Sequence, residues 1–246
     1  MGKRRQVAAL TACVAMLLLT LPPGQASADR RTARGHATAF AVFAMEEAPH
    51  VPGRWDPCRV IGYRVNRAQA THGAVKDVKR AIHRTSLATG LTFVYRGRTN
   101  RIPQAQWRKH AYPADTQLIV AWIRPSQSTL MSGTTREGIA GRGGSWHVAA
   151  KDKAGRLWGR YDRGYALLNA DMHFPAGFKT SGRFGSRGRE LMHELGHVVG
   201  LDHPRHGGRL QIMYPVLTRK PAQWGRGDLA GLRFVGAGGG CLTDMR

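Results

Sequence analysis

The segment from His193 to His203 reads His-Glu-Leu-Gly-His-Val-Val-Gly-Leu-Asp-His and combines residue types that hold a metal with one that moves a proton. Residues four apart on an α-helix lie one turn from each other on the same face, so His193 and His197 present two imidazoles to a common point. Neutral imidazole is a good ligand for Zn²⁺, at roughly 2.0–2.1 Å from nitrogen to metal. Glu194 follows the first ligand and projects towards the place a bound water would occupy. Gly200 has no Cβ to oppose a sharp turn off the helix, after which His203 can approach the same point from a new direction. Three histidines leave a fourth coordination position open, as a catalytic site requires and a closed structural site does not. The expectation is one Zn²⁺ held by His193, His197 and His203, with Glu194 as general base towards a water whose pKa the metal lowers to about 7.

These residues need a helix, and Ser186 to Leu201 has the pattern of one, with Gly200 near its end. Upstream, Arg59 to Asn66 reads as a first strand. Ala74 to Leu87 reads as an amphipathic helix with Val75, Val78 and Ile82 on one face, sometimes joined by Leu87. Thr89-Gly90 closes that helix, and Leu91 to Tyr95 begins a second strand. The continuous apolar run from Gln117 to Ile123 has the length of a buried central strand. Ser126 to Gly144 reads as a long loop leading to a weak edge strand, and Tyr165 to Phe174 as a further strand. Asp228 to Phe234 reads as a short C-terminal helix. The expected fold class is α/β (α+β), a single domain with a mixed twisted sheet packed against an N-terminal helix and the metal-binding helix.

The N-terminus has the grammar of a secretory signal: Lys3, Arg4 and Arg5, an apolar run from Val7 to Leu21, then Ala26-Ser27-Ala28 as a small-x-small cleavage site. Residues 1–28 are therefore expected as a signal peptide, 29–54 as a mobile leader or short pro-segment, and 55–246 as the folded domain. Cys13 lies within the apolar run, which continues beyond it, so lipidation is not expected. Export would place Cys58 and Cys241 in an oxidising compartment, where a disulfide joining the two ends of the domain is the natural inference.

The 246-residue chain carries 38 Lys and Arg against 15 Asp and Glu, a formal net charge of +23. Such a field attracts anionic partners, an anionic cell-envelope polymer among them. No basic helix face or aromatic-interleaved basic stretch points to specific nucleic-acid binding. The remaining partner expectations are a protein or peptide substrate, no membrane once the signal is cleaved, and a monomer.

The His-Glu-x-x-His-x-x-Gly-x-x-His pattern at 193–203, followed by Ile212-Met213-Tyr214-Pro215, resembles the metzincin clan of zinc proteases. Leu201-Asp202-His203 and Met213-Tyr214-Pro215 look most like matrixins and their small bacterial relatives. The resemblance implies a secreted, extracellular metalloendopeptidase, with Met213 as an apolar floor beneath the metal. It also implies an extended substrate lying along an edge strand within Gly138 to His147, and a specificity pocket walled by Tyr214 to Val216. Two departures bear on this. The cysteine-switch segment of matrixin pro-peptides has no clear counterpart, so Cys58 has two roles open to it, pairing with Cys241 or acting as an inhibitory zinc thiolate; pairing is favoured. The position where astacin-like enzymes place a tyrosine ligand is Pro215, so Tyr214 is not carried over as a ligand. His206 lies three residues beyond His203, but the extended spacing favours His203 as the third ligand, and His147, His173 and Asp152 are weak candidates for a second metal site. Two other functions fit the same residues: a zinc amidase acting on cell-wall peptides, and a basic cell-envelope binding protein for which Glu194 would have no purpose.

Overall fold

The computed structural model describes residues 34–107, 111–131, 139–179 and 184–245. The expected signal peptide and residues 132–138 of the Ser126–Gly144 loop lie outside these segments. The strands are β1 (Ala41–Val42), β2 (Ala44–Met45), β3 (Ala48–Trp55), β4 (Ile61–Asn66), β5 (Phe93–Arg98), β6 (Leu118–Ile123), β7 (Gly141–Asp152), β8 (Leu157–Asn169), β9 (Leu201–Asp202) and β10 (Leu242–Asp244). The helices are α1 (Ala74–Thr89), α2 (Arg187–Val199) and α3 (Arg226–Val235). The main sheet runs β10-β7-β8-β6-β4-β5, and β3 also pairs with β8. Strands β4, β5, β6 and β8 are mutually parallel, whereas β7 runs antiparallel to β8 and β10 antiparallel to β7. The fold is thus α+β with a mixed sheet, as the order of elements led one to expect.

Both faces of β6 are covered, which is why Leu118–Ile123 is apolar throughout. Leu118, Val120 and Trp122 join Ile61, Tyr63 and Val65 of β4 in a core beneath the three helices. Ile119, Ala121 and Ile123 face the other way, into a second cluster with Tyr112, Leu130, Met131 and Leu167. Helix α1 buries Val78, Ala81, Ile82 and Thr85 on the sheet and stops at Gly90, whose N–H bonds Ser86 O. Leu87 lies five residues from Ile82, off that stripe, and is exposed rather than packed.

Three boundaries depart from the sequence expectation. Residues 41–54, expected within a mobile leader, belong to the fold: β1 pairs with β9, and β3 pairs in parallel with Gly159–Tyr161 of β8. Pro49 and Pro52 hide the strand character of β3, but Val51 and Trp55 are buried, and the Trp55 indole donates to Val198 O at 2.8 Å. Strand β8 begins at Leu157 rather than Tyr165 and ends at Asn169. Arg160, Asp162 and Arg163 interrupt its apolar pattern, yet Arg160 is neutralised by Asp244 at 2.6 Å. The C-terminal β10 is too short to be legible in sequence and is held by tertiary partners. Cys58 and Cys241 are disulfide-bonded across 183 residues, Asp56 accepts the Leu242 N–H, and the buried Arg54 donates to Gly239 O and Gly240 O. The thiols are therefore joined to each other, which settles the choice left open for Cys58. Among the described residues, no helix is long and apolar enough to cross a membrane.

Candidate metal centre

Helix α2 starts at Ser186, whose hydroxyl accepts the Arg189 N–H as an N-cap. Its first turn is anchored by Arg187, buried and paired with Asp77 of α1 at 2.7 Å, while Asp77 also accepts the Gly177 N–H. The helix leaves through Gly200, at φ 114°, a left-handed conformation that a side chain would oppose. That turn is fixed from outside: Phe43 N–H donates to Gly200 O, and β1 pairs with Leu201 and Asp202. The chain then delivers His203, whose N–H bonds the Asp202 carboxylate at 2.7 Å.

The three imidazoles meet as the spacing requires. His203 Nε2 lies 3.2 Å from His193 Nε2 and 3.2 Å from His197 Nε2. The opposite ring nitrogens are engaged, His193 Nδ1 with Ile212 O and His197 Nδ1 with Leu201 O, both at 2.8 Å. A carbonyl only accepts, so both Nδ1 atoms carry the proton and both Nε2 atoms present lone pairs. Lone pairs facing one another at this separation repel unless a cation lies between them. Nitrogens on a tetrahedral ion with bonds of 2.0–2.1 Å would stand about 3.3 Å apart, so the donor set fits a metal ion. Burial also keeps the rings neutral: it lowers His193 to about 3 and His197 to about 4, and lowers His203 as well. Among the described residues, this is the only group of three histidines close enough to share an ion.

Met213 is fully buried, its sulfur packed against Gly196 of α2 so closely that a methyl group there would overlap it. The backbone carrying Met213 is pinned by Asp228 of α3, whose carboxylate accepts the N–H groups of Ile212, Met213 and Gly225 at 2.6, 3.2 and 2.8 Å. Burial raises Asp228 to about 6 against the opposing effect of those three donors. Since Ile212 O orients His193, Asp228 acts on the first ligand through one peptide unit. Sequence reading missed it because an acidic residue in the first turn of a helix has an ordinary explanation in the helix dipole.

Glu194 points into the same space and is buried, with Oε2 receiving no protein donor. Burial and the neighbouring Glu190 carboxyl push it well above the usual carboxylate range, while the Gly143 backbone works in the opposite direction. Glu190 was not singled out in sequence. It precedes Glu194 by one turn, and burial raises it to about 7.

A cleft of about 1090 Å³ runs past these groups, bounded by β7 on one side and by Tyr214 to Leu217 on the other. Strand β7 pairs with β8 along one edge, but on its other edge β10 covers only Ala150–Asp152. Gly141 to Ala149 therefore has no strand partner on that edge among the described residues, and Gly141 to Ser145 and His147 border the cleft. Strand β7 is far longer than the weak edge expected, yet its open part coincides with the expected substrate edge; Gly138 lies outside the described residues. Tyr214, Pro215 and Val216 line the facing wall.

The other histidines are not brought to the cluster. His206 and His173 are exposed on separate loops. His147 pairs with Glu47 at 3.0 Å, and Asp152 is occupied by Arg156, Trp158 and the turn that joins β7 to β8. The second metal site considered for His147, His173 and Asp152 is thus not assembled. Comparison of the chain with protein-family models and with curated proteins finds no match to either.

Proposed function

We propose that the chain is a zinc-dependent metalloendopeptidase of matrixin-like metzincin type, acting outside the cell. The observation that carries this reading is the position of Glu194, a buried carboxyl whose Oε2 receives no protein donor, one residue after a histidine of a three-imidazole cluster and facing an open cleft. A purely structural metal site has no use for such a group.

A bound zinc ion supplies Lewis acidity, lowering the pKa of a coordinated water towards about 7 and polarising a carbonyl. The rest is done by the chain. The unpaired edge of β7 receives an extended peptide by strand addition, so that main-chain hydrogen bonds set its register. Glu194 takes the proton of the attacking water at its carboxylate and returns it to the leaving amine. The two carbonyls at Nδ1 keep His193 and His197 in the tautomer that leaves Nε2 free. Met213 closes the underside of the site with an apolar, well-packed surface that excludes water.

The test is cleavage of a mixed peptide library by the zinc-loaded protein, with and without a chelator. Chelator-sensitive cleavage by the wild type, lost in Glu194→Ala while that variant still binds one zinc per chain, is the expected result. Cleavage by Glu194→Ala at the wild-type rate would remove the general-base role. Absence of any chelator-sensitive cleavage would return the chain to the class of basic envelope-binding proteins.

A further inference from the structure

We infer that the β4–β5 edge of the sheet is a docking surface for a polyanion of sugar or polyol units joined through phosphodiesters. Between Val60 and Arg101 the chain carries nine Lys and Arg against one acid, Asp77, which is buried and paired with Arg187. Asp115, before β6, and Asp171, after β8, are likewise paired, with Arg64 and Arg124. Folding gathers the remaining cations. Strand β5 is the last in the sheet, pairing with β4 and, among the described residues, with no other strand. Lys79 of α1 lies over the Tyr95 ring of β5, its Nζ 4.3 Å from the centroid. Past Tyr95 the strand ends at Arg98, opposite Val65, and Arg67 follows the neighbouring end of β4. Arg67, Arg96, Arg98 and Arg101 are exposed, and among the described residues none has a carboxylate partner. Strand β5 stands four strand spacings from β7, about 19 Å, so this surface and the cleft are separate and the inference does not depend on the peptidase reading.

Arg67 and Arg98 both border a cavity of about 300 Å³ at this end of the strands, and its other walls decide the ligand. Asn66, Gln69 and Asn100 bring amides to it, while Ile102 and Trp122 bring apolar surface. The Asn66 amide fixes the rim, donating to Arg101 O at 3.1 Å and accepting the Ala68 N–H at 3.0 Å. Amides both donate and accept, as hydroxyls do, so a hydroxyl-rich unit suits a cavity between two guanidinium groups. Those groups come from different strand ends. The tetrahedral oxygens of a phosphodiester accept from two forks in different planes, whereas a planar carboxylate is matched best by one. Single-stranded nucleic acid fits less well, because it needs an open aromatic face for base stacking. Trp122 is only 6% exposed, and the Tyr95 ring is covered by Lys79 and packed 5.3 Å from Tyr63. The ligand is a polymer rather than a lone phosphate because Lys79, Arg96 and Arg101 lie beyond the cavity walls, where only further charges of the same chain would reach them.

The experiment measures binding of the full chain, with zinc bound, to fluorescently labelled polymers by anisotropy at about 0.15 M salt. The probes are poly(glycerol phosphate), polygalacturonate, and single- and double-stranded oligonucleotides of matched charge. Poly(glycerol phosphate) is expected to bind most tightly. Arg67→Gln with Arg98→Gln should weaken it about 10–100-fold, the loss implied by two charge-assisted contacts. Arg209→Gln with Arg219→Gln removes the same charge from exposed positions between α2 and α3 and should change the affinity less than about 3-fold. Equal losses in the two double variants would mean attraction to net charge alone and overturn the inference. Equal or tighter binding of polygalacturonate or of either oligonucleotide overturns it too, as does no binding of poly(glycerol phosphate) by the wild type. A second measurement needs no variant. Bound poly(glycerol phosphate) should protect Arg67 and Arg98, but not Arg209, from phenylglyoxal, read by mass spectrometry; uniform protection overturns the assignment of the surface.

Discussion

Replacing Asp228 by alanine tests whether the metal centre depends on a residue that touches neither metal nor cleft. The carboxylate satisfies three buried N–H groups, those of Ile212, Met213 and Gly225. Each buried donor left without a partner costs about 1–3 kcal/mol. If the loop relaxes enough to hydrate one of the three, the remaining two would cost on the order of 2–6 kcal/mol. That is a large part of the stability of an ordinary domain, about 5–15 kcal/mol. Asp228→Asn is a gentler change with two opposing terms. Its amide retains one acceptor oxygen but directs a donor at one of the N–H groups, a loss of about 1–3 kcal/mol. It also removes a carboxylate that burial raises to about 6, a relief of comparable size above that pH. The asparagine variant should therefore lie close to the wild type in stability at pH 7, and the alanine variant far below it. The functional readout is zinc affinity, because Ile212 O orients His193: a loss of 10–100-fold is usual when a group supporting a ligand is removed. Urea unfolding of the metal-free protein and competition against a chromophoric chelator measure the two quantities. An alanine variant within about 0.5 kcal/mol of the wild type and with unchanged zinc affinity would refute the claim that Asp228 fixes the segment beneath the site.

Other outcomes follow from the same contacts. Phe43 packs 5.4 Å from His197, and its N–H holds Gly200 O; Phe43→Ala should weaken zinc binding about 3–10-fold, a modest effect for an apolar support, and an unchanged dissociation constant would dismiss the N-terminal strap as a support. Replacing Cys58 and Cys241 by serine opens a loop closed across 183 residues, so the loss should be about 5 kcal/mol in the chain-entropy limit; a melting temperature within a few degrees of wild type would show that β10 is held without it. In the metal-free protein His193 and His197 titrate near 3 and 4 when folded but near the ordinary histidine value when unfolded. Protons then bind the unfolded chain first, so stability is complete above about pH 6.5 and is lost as pH falls, by up to about 2–3 kcal/mol per unit between pH 6 and 4. A urea midpoint flat over that range, or one that responds equally in His193→Phe, would contradict the assignment.

The histidine cluster was legible in sequence because all its terms are local. Helical periodicity places His193 and His197 together, and one glycine suffices to turn His203 towards them. The buried run at Leu118–Ile123 and the amphipathic α1 were readable for the same reason, since their patterns report their own burial. The groups that hold the cluster in place were not. Asp228, Phe43 and the Ile212 carbonyl lie far from it in sequence, and each has an unremarkable local reading as a first-turn acid, a residue in a proline-containing leader, or a loop peptide. The strands at 41–55 and 242–244 were missed because pairing with β9, β8 and β7 forms them, and because the Arg160–Asp244 ion pair, the hydrogen bonds of Arg54 and a disulfide compensate a poor intrinsic pattern. Glu190 shows the same division in one residue: helical spacing places it beside Glu194, but only the packed structure shows that both carboxyls are buried and hydrogen-bonded to each other. Sequence determined which atoms could bind and react; the tertiary structure decided which backbone groups orient them and which surfaces the cleft leaves open, because those contacts exist only after distant segments close on one another.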